Sequence, residues 1–255
     1  MSNQITLTAV SHIPHIQPHD DLPAIILAAI KQQNISLQAG DVLVIAQKIV
    51  SKAENRYVNL ADVVVSPRAQ EVAEQVDKDP RLVELILSES DEISRMRKGV
   101  LIVRHRLGFT SANAGIDRSN ISQPDGQERV LLLPVDPDKS AAAIRRLILD
   151  QTGVEVGVII CDTHGRAHRR GTVGVAIGVA GITAVWDRRG EQDLYGYTLE
   201  HTDVGLADEL AAAADLLLGA AAEGTPVVLV RGAVLPNQGG QASDLIRPKE
   251  MDLYR

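Results

Sequence analysis

Short apolar segments alternate with longer amphipathic segments along the whole chain. Apolar runs of strand length, bounded by turn residues, predict strands at ITLTAV (5–10), DVLVIAQ (41–47), VLIVRHR (100–106), VLLLP (130–134), VEVGVIICD (154–162), the run 171–186 and TPVVLVRG (225–232). Helical spacing of apolar residues predicts helices at LPAIILAAIKQQ (22–33), PRAQEVAEQV (67–76), DPRLVELILSES (79–90), DKSAAAIRRLILDQTG (138–153) and TDVGLADELAAAADLLLG (202–219). This alternation indicates an α/β or α+β protein. No boundary is sharp, so we expect one domain over 1–255, with a helical sub-lobe at about 60–98.

The composition excludes several classes of protein. Aromatic residues make up 2% of the 255 residues and the formal net charge is −7, which argues against a nucleic-acid-binding surface. The single cysteine, Cys161, cannot form an internal disulfide, and the N-terminus lacks the pattern of a signal peptide. The run 171–186 is too short and too rich in glycine to favour a membrane span. We therefore predict a cytoplasmic protein with no nucleic-acid or membrane partner.

Polar residues interrupt the apolar pattern at CDTHGRAHRRG (161–171). Asp162 is predicted at the end of a strand, where side chains enter a crevice in α/β sheets, and Thr163 adds a second hard oxygen ligand for Mg²⁺ or Mn²⁺. Arg166, Arg169 and Arg170 could grip phosphate oxygens. A solvated loop with an Asp-Thr turn explains the same residues, and spacing alone does not decide between the two.

Two histidines in this segment, His164 and His168, are four residues apart. On a helix they would share a face and could bind zinc. The intervening glycine and the flanking strands disfavour a helix, so they disfavour zinc.

Two further clusters carry charge next to predicted strands. ANAGIDRSN contains Asp117 and Asn120 after a glycine that permits close backbone approach, and QKIVSKAENR contains Lys48 and Lys52. An Asx-rich turn and a solvated helix start explain these segments equally well. The chain has no GxxxxGK[ST], GxGxxG or GxSxG motif, which leaves covalent catalysis and the common nucleotide-binding loops unsupported.

Taken together, the segments resemble the coenzyme F420-0:γ-glutamyl ligase family. The matching stretches occur in the family's order and cover nearly the whole chain: IPHIQPHDDL, GDVLVIAQKIVSKAENR, SPRA, NAGIDRSN, LLLPVDPDKSA, GVIICDTHGRAHRRG, VAIG, DLYGYTLEHT, ADELAAAADLLLG and PVVLVRG. The resemblance implies an α+β ligase fold in two lobes and an intertwined homodimer. The family's larger members carry an additional C-terminal flavin-binding domain, which has no counterpart in this sequence.

The resemblance also implies an activity. Members join L-glutamate to the lactyl carboxylate of coenzyme F420-0 and extend a γ-linked glutamate tail, using GTP and divalent metal ions. We therefore expect GTP, L-glutamate and F420-0 as substrates, two Mn²⁺ or Mg²⁺ ions, and K⁺ as a further candidate cation. Phosphoryl transfer to the carboxylate would give an acyl phosphate, a chemistry that relies on positioning and charge neutralisation.

Site residues follow from the resemblance position by position. Asp117 and Asp162 correspond to ligands of the first metal, and Thr163 to a ligand of the second. Residues expected to contact GTP are Pro14, His15, Ile16, Gln47, Lys48, Lys52, Asn120 and the stretch 218–225, within which we single out Leu218, Gly219, Ala220 and Glu223. Arg166 and Arg170 are expected to grip phosphate or the acidic substrate.

Two positions depart from the family pattern. Ala220 stands where the family tends to have Glu or Gln after the helix-ending glycine, so the second metal would be bound more weakly, through water, or by Glu223 instead. AENR (53–56) replaces the usual AEGR. These departures keep two alternatives open: a glutamyl ligase of the same fold that acts on another acid acceptor, and a non-catalytic nucleotide-binding homodimer.

Overall fold

A computed structural model describes residues 4–124, 126–236 and 239–252, so parts of the expected domain 1–255 lie outside the described residues. The strands are β1 (Thr6–Ala9), β2 (Val42–Ala46), β3 (Tyr57–Asn59), β4 (Ser90–Arg97), β5 (Val100–His105), β6 (Thr110–Ala112), β7 (Arg129–Leu131), β8 (Gly157–Gly165), β9 (Thr172–Ala180), β10 (Trp186–Asp187), β11 (Asp203–Val204) and β12 (Val227–Arg231). The α-helices are α1 (Leu22–Gln32), α2 (Gln47–Ala53), α3 (Pro67–Val76), α4 (Pro80–Ser88), α5 (Pro137–Thr152) and α6 (Leu206–Leu218). The chain is therefore an α+β protein.

A five-stranded mixed sheet forms the centre of the fold. Its order is β1-β12-β2-β8-β9, in which β2 and β8 are parallel and the other neighbours are antiparallel. The first four residues of β2 and of β12 are buried, because both faces of the sheet are covered. Apolar residues of α1 and α5 cover one face, and those of α6 cover the other.

Local signals set the ends of the long helices. The side chain of Asp136 accepts a hydrogen bond from the Lys139 N–H at the start of α5, and Gly153 ends the helix with φ +69°. At the end of α6, Gly219 has φ +73°. Both helices therefore end at the glycine where the sequence prediction ends them.

A third apolar cluster lies apart from the two faces of the central sheet. It is formed by α3, α4, the sheet β4-β5-β6 and the pair β3-β7. The prediction of helix through 60–98 is wrong at its C-terminal end, because 90–97 form β4. This polar segment pairs with β5 across a turn at Gly99, whose φ of +77° suits glycine.

Three further predictions need correction. β8 does not end at Asp162 but continues to Gly165, because its antiparallel partner β9 satisfies the backbone of the polar residues. The run 171–186 is broken at Gly181, where φ is +75°. The start of the predicted helix 202–219 is strand β11, and α6 begins at Leu206. Among the described residues, no helix is long and apolar enough to cross a membrane.

Candidate active site

A cavity of about 960 Å³ opens where β2 and β8 end. These strands are parallel, so their carboxyl ends meet at one edge of the sheet, where ligands bind in α/β folds. The lining includes fourteen residues singled out from the sequence: Pro14, His15, Ile16, Gln47, Lys48, Lys52, Asp117, Asn120, Asp162, Thr163, Leu218, Gly219, Ala220 and Glu223. The structure thus brings together segments that are far apart in the chain.

Asp117 is held by two residues at the start of α2. Lys48 Nζ lies 2.9 Å from its Oδ2, and the side-chain amide of Gln47 donates to the same oxygen. Gln47 is buried, and its Oε1 accepts a hydrogen bond of 2.9 Å from the Ser51 hydroxyl, which orients the amide. Burial raises the pKa of Asp117, and Lys48 opposes that shift.

Lys48 and Lys52 are one turn apart on α2 and both line the cavity. Burial and the neighbouring Lys48 lower the pKa of Lys52. Two ammonium groups that face one cavity form a favourable site for a polyanion. The alternative of a purely solvated helix start does not fit α2, because four of its seven residues are buried.

Asp162 lies inside β8, one residue after a register shift between Ile160 and Cys161. It is 9% exposed and lines the cavity, while the next residue, Thr163, is exposed and lines it too. Oδ2 of Asp162 is 2.8 Å from Nε2 of His164. The sequence predicts that the strand ends at Asp162, whereas the strand continues past a bulge in the structure. Asp162 and Thr163, which follow the bulge, both line the cavity.

A left-handed turn brings Asp117 close to Asp162. Asn113, Ala114 and Gly115 have φ of +53°, +54° and +66°. A Cβ on Gly115 would lie 2.8 Å from a methyl carbon of Leu133 and 3.4 Å from Oδ2 of Asp162. This close approach is what the glycine of ANAGIDRSN was expected to permit, and it confirms that expectation.

Asp215, on the last turn of α6, is a site residue that the sequence analysis missed. It lines the cavity, and its carboxylate lies near the Gly174 N–H and the Thr163 hydroxyl. Burial raises its pKa, and the nearby charge of Asp162 acts in the same direction. Nothing in the helical pattern marks it, because a surface helix carries acidic residues at many positions.

The oxygen donors of the cavity suit a hard divalent cation. Asp117, Asp162 and Thr163 offer carboxylate and hydroxyl oxygens, which Mg²⁺ and Mn²⁺ prefer. Across the described ranges, no three His, Cys, Asp or Glu side chains converge into a complete metal site.

The loop after α6 closes the cavity with few side-chain ligands. Ala220 is exposed to the cavity, and Oε2 of Glu223 accepts a hydrogen bond of 2.8 Å from the Ala221 N–H. Asn120 donates to the Ala221 carbonyl at 2.8 Å. Hydrogen bonds to backbone N–H groups lower the pKa of Glu223. The side chains of Glu223 and Asn120 are thus both hydrogen-bonded to the backbone of this loop.

The arginines of CDTHGRAHRRG lie elsewhere. Arg166, Arg169 and Arg170 are exposed on the loop between β8 and β9 and do not line the cavity. Cys161 does line it but is 3% exposed, and burial raises the pKa of its thiol far above the ordinary range. The cavity therefore uses carboxylates and lysines and leaves the cysteine as an inert thiol.

The departure at AENR has a simple structural reason. Asn55 follows α2 with φ of +53°, a left-handed conformation that glycine adopts freely. Asparagine tolerates it better than other side chains. The substitution therefore keeps the turn that leads from α2 into β3.

Comparison with known proteins shows the family. The model of the F420-0:Gamma-glutamyl ligase family matches residues 11–232. The chain is 47% identical over 254 residues to the coenzyme F420:L-glutamate ligase of Methanothermobacter thermautotrophicus, covering 98% of this chain and 99% of the relative. It is 46% identical over 219 residues to the ligase of that name from Methanocaldococcus jannaschii, covering 86% of each chain. It is 40% identical over 252 residues to the one from Archaeoglobus fulgidus, covering 99% of this chain and 97% of the relative. The chain belongs to the F420-0:γ-glutamyl ligase family.

Proposed function

We propose that this chain is a GTP- and divalent-metal-dependent ligase that adds L-glutamate to the lactyl carboxylate of coenzyme F420-0. It then extends the product through γ-linked glutamates. The observation that carries the proposal is the convergence of Lys48, Lys52, Asp117, Asp162 and Thr163 on one cavity. Nearly full-length relatives are named coenzyme F420:L-glutamate ligases, which supports the deazaflavin cofactor precursor and L-glutamate as substrates.

Different residues of the chain would bind the phosphates of GTP and the cations. Lys48 and Lys52 supply positive charge for the phosphates of GTP, and the loop 218–225 lines the nucleotide. Asp117, Asp162 and Thr163 would hold the cations. A bound divalent cation would neutralise phosphate charge and align the γ-phosphoryl group with the attacking carboxylate.

The reaction then proceeds in two displacements. The lactyl carboxylate attacks the γ-phosphorus, GDP leaves, and an acyl phosphate forms. The amine of L-glutamate attacks the acyl carbon, phosphate leaves, and an amide remains. No side chain becomes covalently modified, which agrees with the inert, buried thiol of Cys161. Arg166 and Arg170, on their exposed loop, would contact the acidic tail of the growing product.

The quaternary structure is part of the proposal. The hairpin β10-β11 carries Leu194 and Tyr195 at its tip, and these side chains are 98% and 95% exposed. Large apolar side chains at such exposure are typical of an interface. We assign this hairpin to the contact between copies in an intertwined homodimer. Each subunit of that dimer has two lobes.

We place the enzyme in the cytoplasm.

Ala220 favours a second candidate, a nucleotide-binding homodimer without turnover. The test is product formation from F420-0, L-glutamate, GTP and Mn²⁺, with reactions that omit metal or replace GTP by ATP. Glutamylated product that depends on GTP and metal supports the ligase. GTP binding without product selects the non-catalytic protein, and turnover with a different acid selects another acceptor.

A further inference from the structure

His164 has no role in the site described so far, although it touches one of its central carboxylates. It lies two residues after Asp162 on β8, so both side chains point to the same face of the strand. Its Nε2 is 2.8 Å from Oδ2 of Asp162. The ring is 8% exposed, so water cannot easily replace this contact.

Packing fixes the orientation of the His164 ring. The ring of Phe109 lies 4.7 Å from it, and Phe109 in turn stacks on His105 at 5.1 Å. His105 is fully buried, and its Nδ1 accepts a hydrogen bond from the Leu107 N–H. The imidazole that meets Asp162 is thus anchored to the turn between β5 and β6, outside the central sheet.

Oδ2 of Asp162 is enclosed from a second direction by Gly115. A Cβ at that position would come within 3.4 Å of this oxygen. His164 and Gly115 together occupy the surroundings of Oδ2, while Asp162 still lines the cavity.

We propose that His164 is a positioning residue for Asp162, binding Oδ2 through its Nε2–H so that Oδ1 faces the cation site. A carboxylate held at one oxygen presents the other in a single direction, which spares the ordering cost when a cation binds. The proposal rests on the function proposed above. It adds a residue that acts through Asp162 and contacts neither substrate nor cation.

Two variants separate the hydrogen bond from the packing. His164→Phe keeps an aromatic ring beside Phe109 but removes the donor, and His164→Gln keeps a donating amide. Lys31→Met, at an exposed position of α1 that does not line the cavity, serves as the control. Mn²⁺ affinity is measured on each purified protein by electron paramagnetic resonance of the free ion, with GDP present.

We expect His164→Phe to weaken Mn²⁺ binding about tenfold, His164→Gln to restore most of it, and Lys31→Met to match the wild type. Equal Mn²⁺ affinity in the wild type and His164→Phe overturns the positioning role, as does equal weakening in the Phe and Gln variants. Wild-type protein that binds no Mn²⁺ overturns the proposed function as well, so the two failures are distinguishable.

A metal-free measurement covers the case in which His164→Phe does not fold. Nitrogen-15 spectra of the imidazole groups report whether Nε2 carries the proton. We expect one imidazole signal with a protonated Nε2 that disappears from its position in His164→Gln and shifts in Asp162→Asn. A His164 signal that does not respond to Asp162→Asn contradicts the proposed hydrogen bond.

Discussion

Lys48 Nζ lies 2.9 Å from Oδ2 of Asp117, and the two side chains are 28% and 19% exposed. The pair joins the start of α2 to the loop that follows the left-handed turn. Its partial burial strengthens the Coulombic attraction between the two charges but adds a desolvation cost that a surface ion pair does not have. In the nucleotide-free protein the ammonium of Lys48 thus compensates the charge of a carboxylate that burial disfavours.

Replacing Lys48 tests the phosphate site. Lys48→Met should weaken GTP binding by roughly tenfold or more, since a hydrogen bond to a charged group contributes about 1.5–3 kcal/mol. Isothermal titration with Mn²⁺ present measures the dissociation constant. Lys31→Met, at an exposed position of α1, is the matched control, and equal GTP affinity in the two variants would show that Lys48 does not meet the phosphates.

The ionised carboxylate of Asp117 should lower the free energy of unfolding when no metal is bound. Its pKa is raised in the folded state, so the ionised carboxylate favours unfolding at neutral pH, and that cost vanishes as pH falls below the ordinary carboxyl pKa. Asp117→Asn should therefore be more stable than the wild type at pH 7, by on the order of 1 kcal/mol. The difference should shrink toward pH 4 and below.

Urea unfolding at several pH values, without metal, measures this effect. Asp150→Asn, at an exposed position of α5, should show no comparable gain. A variant at position 117 that is less stable than the wild type at pH 7 would mean that the Lys48 and Gln47 contacts outweigh the burial of the carboxylate. Activity of Asp117→Asn should be lost in either case.

Ala220 offers a gain-of-function test. The resemblance places Glu or Gln at this position, and the side chain faces the cavity. Ala220→Gln should lower the Mn²⁺ concentration that gives half-maximal ligase activity by several-fold, because an added oxygen donor completes the second cation site. Ala28→Gln, at an exposed position of α1 outside the cavity lining, is the control, and an equal response in both would exclude a specific ligand position.

The tip of the β10-β11 hairpin should form the dimer interface. Replacing Leu194 and Tyr195 together by serine removes two large exposed apolar groups without touching the core. Sedimentation velocity should show a monomer, or a dimer weakened by at least about tenfold. Leu216→Ser, 82% exposed on α6, is the control. A double variant that remains as dimeric as the wild type would place the interface elsewhere.

Local signals predicted the helices well, because their ends depend on nearby residues. Gly153 ends α5 with a positive φ, as the predicted helix 138–153 indicates, whereas the side chain that caps its start is Asp136, two residues before the predicted start. The resemblance located the cavity residues, although they come from five separate stretches of chain. The extension of β8 could not be read in the same way, since it depends on pairing with β9, and polar residues there mimic a loop.

Tertiary contacts explain what the sequence did not reveal at the site. Asp215 becomes a site residue only because α6 packs on β9 and brings its carboxylate to Thr163. His164 could be seen only as half of a histidine pair, whereas its partner is the aspartate two residues earlier. The arginines of the same segment are exposed because the β8-β9 hairpin carries them past the cavity.

Amide formation through GTP-driven activation of a carboxylate is the reaction proposed for this site. The most direct measurement is mass spectrometry after incubation with L-glutamate, GTP, Mn²⁺ and F420-0 that carries ¹⁸O in its lactyl carboxylate. We expect product masses that increase by whole glutamyl units and one ¹⁸O transferred to inorganic phosphate in the first addition. Unmodified F420-0 beside intact GTP binding would contradict ligase activity, and glutamylated product with unlabelled phosphate would contradict the acyl phosphate.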